Sequence, residues 1–232
     1  MANLYGPKIV TSGLVLLLDA GNSKSYPGSG TTWTDLSGNG YNGTLTNGPT
    51  FSSANKGSIV FDGVDDYVSN TLSSSLSSSF TFICFVKPSV IGNTIPKGFL
   101  VSEVASYSNY WAFLGTYQNK WHWGCYDGAN NPYINSNATP SSGVWKHIAG
   151  VRNLTANTIY FYIDGVLDSS LNHSTLSIPT YGAFNIGGQV SQPAGQNRLS
   201  SSQIALAQVY NRALSVSEIA QNYNATKGRF NL

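Results

Sequence analysis

V-W-K-H-I-A-G-V-R-N-L-T-A-N-T-I-Y-F-Y-I-D-G-V-L-D-S-S, residues 144–170, is the stretch whose reading decides the fold. Six β-favouring residues from Thr158 to Ile163 run into Asp164-Gly165, a pair that suits a two-residue turn with both residues at positive φ, and the chain resumes with Val166 and Leu167. In such a hairpin Ile163 faces Val166. Ile159, Phe161, Ile163 and Val166 are then predicted to be buried on one face, with Tyr160, Tyr162 and Leu167 on the other. Both faces are mostly apolar, so the hairpin is expected at the centre of an antiparallel sheet, preceded by a strand from Trp145 to Val151.

Working outward, Gly13 to Ala20 reads as a strand buried on both faces, and Ala20 to Pro49, full of Gly, Asn and Pro, as a loop excursion with little regular structure. Short strands are predicted at Ser58 to Gly63 and Tyr67-Val68, joined at G-V-D-D, then at Phe80 to Lys87, Phe99 to Val104, Tyr110 to Leu114 and Lys120 to Tyr126. Tyr181 to Gly188 and Ser202 to Tyr210 follow. Ser215 and Glu218 then make a capping box, with Leu214 stapled to Ile219, for one helix reaching about Asn224. The spacing is that of an all-β sandwich closed by a short C-terminal helix. No internal repeat or linker divides the chain, so residues 1–232 are expected to form a single domain with an N-terminal arm at 1–12.

Only 9% of the 232 residues are charged, and the formal net charge is +2. Lys and Arg are scattered without a run of three, which leaves no electrostatic footprint for nucleic acid. The N-terminal M-A-N-L-Y-G-P-K has no basic segment leading into an apolar signal core, and Leu14 to Leu18 is too short to cross a bilayer, so neither export nor membrane insertion is expected. Matches to N-x-[ST] at Asn42, Asn137, Asn153, Asn172 and Asn224 are those a chain rich in Asn, Ser and Thr produces by chance. Cys84 and Cys125 belong to no C-x-x-C pair; they read as two buried thiols, with a single long-range disulfide between them as the open alternative.

G-S-I-V-F-D-G-V-D-D-Y-V (57–68), S-F-T-F-I-C-F-V-K-P (79–88), W-K-H-I-A-G-V (145–151), I-Y-F-Y-I-D-G-V-L (159–167), F-N-I-G-G (184–188) and I-A-L-A-Q-V-Y-N-R-A-L-S-V-S-E-I (204–219) stand in the order of the laminin G-like, concanavalin A-like jelly-roll family, which the sequence resembles. The resemblance implies two antiparallel sheets packed as a sandwich, a fold shared by lectins, glucanases, adhesion domains and structural proteins. The opening G-P-K-I-V-T-S-G-L-V-L-L-L-D-A-G-N-S-K-S-Y-P-G-S-G-T-T-W-T-D-L-S-G-N-G (6–40) looks like the start of stand-alone members encoded by tailed bacteriophages. That likeness implies a non-enzymatic virion surface protein, of decoration or fibre type, assembled in the host cytoplasm. Its partners would be other virion proteins and further copies of itself, and it would bind host-surface glycans. A free carbohydrate-binding module is the competing reading.

Glucanases of this fold use paired carboxylates, one as nucleophile and one as general acid. Here the two glutamates, Glu103 and Glu218, are far apart and no E-x-D-x-x-E pattern exists, so no catalytic residue is assigned. The clusters D-L-S-G-N-G (35–40) and D-G-V-D-D (62–66) lie where relatives hold Ca²⁺, an ion that needs six to eight oxygen ligands. Asp and Asn also serve turn geometry, and the family's acidic pair before the last strand is replaced by Ala205-Leu206-Ala207, so no cofactor is expected. His122, His147 and His173 lack ligand spacing. The aromatic stretch from Tyr107 to Tyr133 supplies the candidate glycan-binding residues Trp111, Trp121, Trp123, Tyr126 and Tyr133, whose rings can stack on pyranose faces. Trp121 and Trp123 share one strand face, which is also how a core pair would be placed.

Overall fold

The computed structural model describes residues 7–72, 76, 79–91, 94–103, 111–126, 131–173, 183–190 and 197–232, apart from the side chains of Glu103, Trp111 and Tyr126. Strands β1 (Leu14–Asp19), β2 (Thr32–Trp33), β3 (Gly43–Thr46), β4 (Thr50–Ser52), β5 (Ser58–Asp62) and β6 (Tyr67–Thr71) lead to β7 (Phe80–Pro88). They are followed by β8 (Lys97–Glu103), β9 (Trp111–Tyr117), β10 (Lys120–Tyr126), β11 (Tyr133–Asn135), β12 (Lys146–Asn153), β13 (Thr158–Ile163) and β14 (Val166–Asn172). The last strands are β15 (Ala183–Ile186), β16 (Gly188–Gln189), β17 (Arg198–Leu199) and β18 (Ser201–Tyr210), before helix α1 (Val216–Thr226). Two antiparallel sheets result. The first has the order β14-β13-β12-β7-β18-β5-β4, with β1 also on β18; the second runs β11-β10-β9-β8-β15-β6-β3-β2, and β16 and β17 form a separate pair.

The strand at the centre of the first sheet is β7, which corrects the expectation for the 158–171 hairpin. Its turn is as predicted, with Asp164 at φ 50° and Gly165 at φ 79° and Ile163 opposite Val166. Its second strand, β14, is nevertheless a sheet edge. Ile159 and Phe161 are fully buried, Ile163 is half-buried and Val166, the first residue of the edge strand, is 68% exposed. The same edge is guarded midway: Asp168 accepts hydrogen bonds from the backbone N–H of Asn137 (2.8 Å) and Ala138 (3.1 Å), which pins the segment after β11 against it.

The apolar runs have two partners each. Between the sheets lies one core containing Trp33, Phe61, Phe82, Trp121, Trp123, Phe161 and Phe184. On the outer face of the first sheet, Ile83, Tyr162 and Tyr210 pack with Leu214 and Ile219, and Phe85, Trp145 and Leu206 pack with Phe230. Strand β7 is therefore buried along nearly its whole length, and β1 owes its Leu run to the same cause. The capping box forms as predicted, Ser215 accepting from the Glu218 N–H and the Glu218 carboxylate accepting from the Ser215 N–H.

G-V-D-D joins β5 to β6 as predicted, and it carries the chain from one sheet to the other. One other expectation changes: the Ala20 to Pro49 excursion contains β2 and β3, the edge of the second sheet. Such strands are two to four residues long with Thr and Gly in place of apolar alternation, so their pairing comes from tertiary neighbours. Within the N-terminal arm, Val10 is buried; its N–H donates to Asn222 Oδ1 (2.8 Å) and its carbonyl accepts from Tyr210 Oη (2.9 Å). Cys84 and Cys125 are both buried and both free, so the disulfide alternative falls, and burial pushes the Cys125 thiol up to about 12.

Candidate functional site

Alternation along β10 separates the predicted aromatic residues. Trp121 and Trp123 point into the core, where Trp123 meets Phe80 and Phe82 edge-on at 5.9 and 5.6 Å between ring centroids, and Trp121 meets Phe99 at 6.2 Å. Both are buried to within 1% of completely, so neither offers a face to a sugar. Space for Trp123 comes from across the sandwich: a Cβ at Gly150 of β12 would collide with the six-membered ring of the indole. Trp111 and Tyr126 pair through their backbones at the ends of β9 and β10, but their side chains lie outside the described residues.

Tyr133 remains. It is 47% exposed on β11 and faces away from the core, since its neighbour Ile134 points inward. Register sets Tyr133 opposite Gly124 and Asn135 opposite His122. The missing side chain at Gly124 lets the Tyr133 side chain lie down against β10, with its ring 5.3 Å from the His122 ring at 34°. Phe113 and Tyr117 stand edge-on to His122, each at 5.7 Å. His122 Nδ1 is 2.8 Å from Asn135 Oδ1, which fixes the ring in plane. Burial lowers the His122 pKa, and the Arg198 charge lowers it further against the opposing pull of the Asn135 bond, so the platform is uncharged at neutral pH. An exposed ring backed by a neutral imidazole and flanked by an amide can stack on an apolar sugar face and exchange hydrogen bonds at its rim. Sequence reasoning missed His122 and Gly124; their alternation with Trp121 and Trp123 was the available signal.

The carboxylates are mostly committed elsewhere. Asp35 accepts from the N–H groups of Leu17 and Ser37 (both 2.9 Å), from Tyr41 N–H (3.1 Å) and from the Ser37 hydroxyl (2.7 Å), which makes it a structural knot. Asp19 pairs with Arg229, Asp164 with Lys146, and Glu218 with Arg212. Asp62, Asp65 and Asp66 bring ligand atoms within 4.8 Å of one another. As a cation site they fit poorly: Asp62 Oδ1 already accepts from Val64 N–H (2.7 Å), Asp66 Oδ2 accepts from Asp62 N–H (3.0 Å), and Asp66 is only 5% exposed. Turn-forming hydrogen bonds hold the Asp62 pKa down, whereas burial and the two neighbouring acids raise that of Asp66.

A family model for the concanavalin A-like lectin/glucanases superfamily, laminin G type, matches residues 62–220. The chain belongs to this superfamily. A search of curated proteins finds no match. Among solved structures, the sandwich is similar to the binding domain of botulinum neurotoxin serotype D, with 13% identity, a TM-score of 0.69, and 92% of this chain and 52% of that one covered. It is also similar to the Trypanosoma rangeli sialidase in complex with sialic acid (17% identity, TM-score 0.69, 94% of this chain and 33% of that one). A third is botulinum neurotoxin type C, which depends upon interaction with two ganglioside molecules to enter cells (14%, 0.69, 94% and 52%). At these identities the likeness is one of fold. This superfamily member spans about half, or a third, of the length of the structures it matches.

Proposed function

We propose that this chain is a non-enzymatic glycan-binding sandwich displayed on the surface of a tailed-phage particle. The observation that carries the glycan reading is the Tyr133 platform, an exposed ring on a neutral imidazole in a chain with few charges. Neighbours that include ganglioside-dependent and sialic-acid-bound proteins support it at the level of the fold. The non-catalytic reading is supported by the acids: Asp66 is buried in a turn, Glu218 is held by Arg212, and Asp62, the neighbour of the exposed Asp65, is engaged by the N–H groups of its own turn. Display on a particle is supported by the likeness of residues 6–40 to phage-encoded members, and a free carbohydrate-binding module is the alternative.

Two measurements test these parts separately. Binding of the purified chain to an array of neutral and sialylated glycans should identify ligands whose affinity falls about tenfold in Tyr133→Ala, equivalent to about 1.4 kcal/mol. An unchanged array profile in that variant would remove the platform. Mass spectrometry of purified particles should find the chain in many copies; its absence from them would leave the free module.

A further inference from the structure

Helix α1 and the chain end, residues 215–232, cover the outer face of the first sheet without joining its ladder. Ile219 packs in the cluster of Ile83 and Tyr210, and Phe230 stacks on Phe85 at 4.2 Å. Asn222 accepts from the Val10 N–H (2.8 Å) and donates to Tyr210 Oη (3.0 Å), and Gln221 donates to the Lys8 carbonyl (2.7 Å). Arg229 reaches Asp19 (2.6 Å) and the carbonyls of Asn55 (3.3 Å) and Gly57 (3.0 Å). Each of these ties is made by a side chain, so the segment can lift without breaking a strand.

Two polar side chains beneath this cover are left unsatisfied by the packing. His147 is fully buried against Phe85 and Tyr223, at 5.3 and 5.6 Å between ring centroids, and neither ring nitrogen has a hydrogen-bond partner. Gln208 stands on the same face between Leu206 and Tyr210, because Ala207 and Val209 point into the core; it is 1% exposed, and its Oε1 and Nε2 both lack a partner. Such groups carry a desolvation cost that water removes once the cover lifts.

Acid adds a trigger. Burial holds the His147 pKa at about 3, against 6.5 for an exposed ring. Around it, Asp164 accepts the His147 N–H (3.1 Å) but is paired with Lys146 (2.5 Å). From the cover come Tyr223, with the Lys227 ammonium 5.1 Å from its ring, and Arg229 over Phe230, while Lys87 of β7 lies over Trp145. None of them gives the imidazole a hydrogen bond. Closure is therefore fully favoured above pH 6.5 and weakens about tenfold per pH unit as pH falls toward 3. Glu218, held at about 2 by Arg212, stays ionised through this window, so the ion pair at the base of the helix persists.

We infer that residues 215–232 form an acid-released latch, which lifts from an intact sandwich when His147 is protonated and bares the apolar surface of Phe85 and Leu206. This device is independent of the glycan reading.

The test is hydrogen exchange of the full chain at about pH 7.5 and about pH 4.5, corrected for intrinsic rates. Amides of residues 219–226 should be less protected than those of β7 at both values, and their opening should rise about 100-fold between them. The rise should vanish in His147→Leu, and Gln208→Leu should protect the helix better at both pH values. One protection shared by the helix and β7 would mean that the segment opens only with the whole chain, and would overturn the latch; that comparison needs no variant. A rise retained in His147→Leu, or a helix no better protected in Gln208→Leu, would overturn it as well.

Discussion

His147 sits on the outer face of the first sheet with both ring nitrogens unpartnered, enclosed by the rings of Phe85 at 5.3 Å and Tyr223 at 5.6 Å. Burial lowers its pKa from 6.5 to about 3. The folded chain therefore keeps it neutral while the unfolded chain protonates below pH 6.5, so stability is full above that value and drains as pH falls toward 3. The slope reaches about 1.4 kcal/mol per pH unit, and His147→Leu should flatten it in denaturant titrations run across this window. A steep slope retained in the variant would place the acid sensitivity elsewhere. Gly150 offers a second test at one position. Its Cβ space is occupied by Trp123, and Gly150→Val should cost about 3 kcal/mol through overpacking, visible as a lower melting temperature.

At the scale of elements, the hairpin and the helix behave differently on their two sides. Phe161→Ala on β13 should lose about 3 to 5 kcal/mol by opening a cavity in the inter-sheet core, whereas Val166→Ser, one turn away on the exposed edge strand, should stay within about 0.5 kcal/mol. Equal losses for the two, measured by urea unfolding, would contradict the edge position of β14. Helix α1 covers the outer face of the first sheet through Ile219, and its start is fixed by the Ser215 cap and by Glu218, which the Arg212 guanidinium holds down at about 2. Ser215→Ala should cost about 1 kcal/mol. Removing this cap at constant stability would mean that packing alone sets the helix start.

For the whole molecule, low charge is the dominant physical fact. With a net charge of +2 and 9% charged residues, the contacts proposed for this chain would rest on buried apolar area and neutral hydrogen bonds. If it is displayed on particles as proposed, its attachment should persist from roughly 0.05 to 1 M salt, over which the screening length shortens several-fold. Release in proportion to salt would point instead to the scattered Lys and Arg residues. The acids at 62–66 form hydrogen bonds within their own turn, so the melting temperature should be the same in Ca²⁺ and in EDTA. A rise of several degrees with Ca²⁺ would show that the corner reorganises around an ion.

Local rules and short-range pattern settled much of this chain from its residues. Asp164-Gly165 made its turn because both positions sit at positive φ, β10 kept the predicted bounds, and the Ser215 to Glu218 box closed because its bonds span only three residues. The order of six motifs was enough to identify a jelly-roll sandwich. Tertiary structure alone decided which apolar face meets which partner. An alternating strand declares two faces without saying which is covered, so Trp121 and Trp123 went to the core while Tyr133, on the next strand, was left in water. The same limit placed the hairpin at the edge and β7 at the centre: strand neighbours far apart in sequence are chosen by the packing of whole sheets, and no local residue pattern encodes that choice.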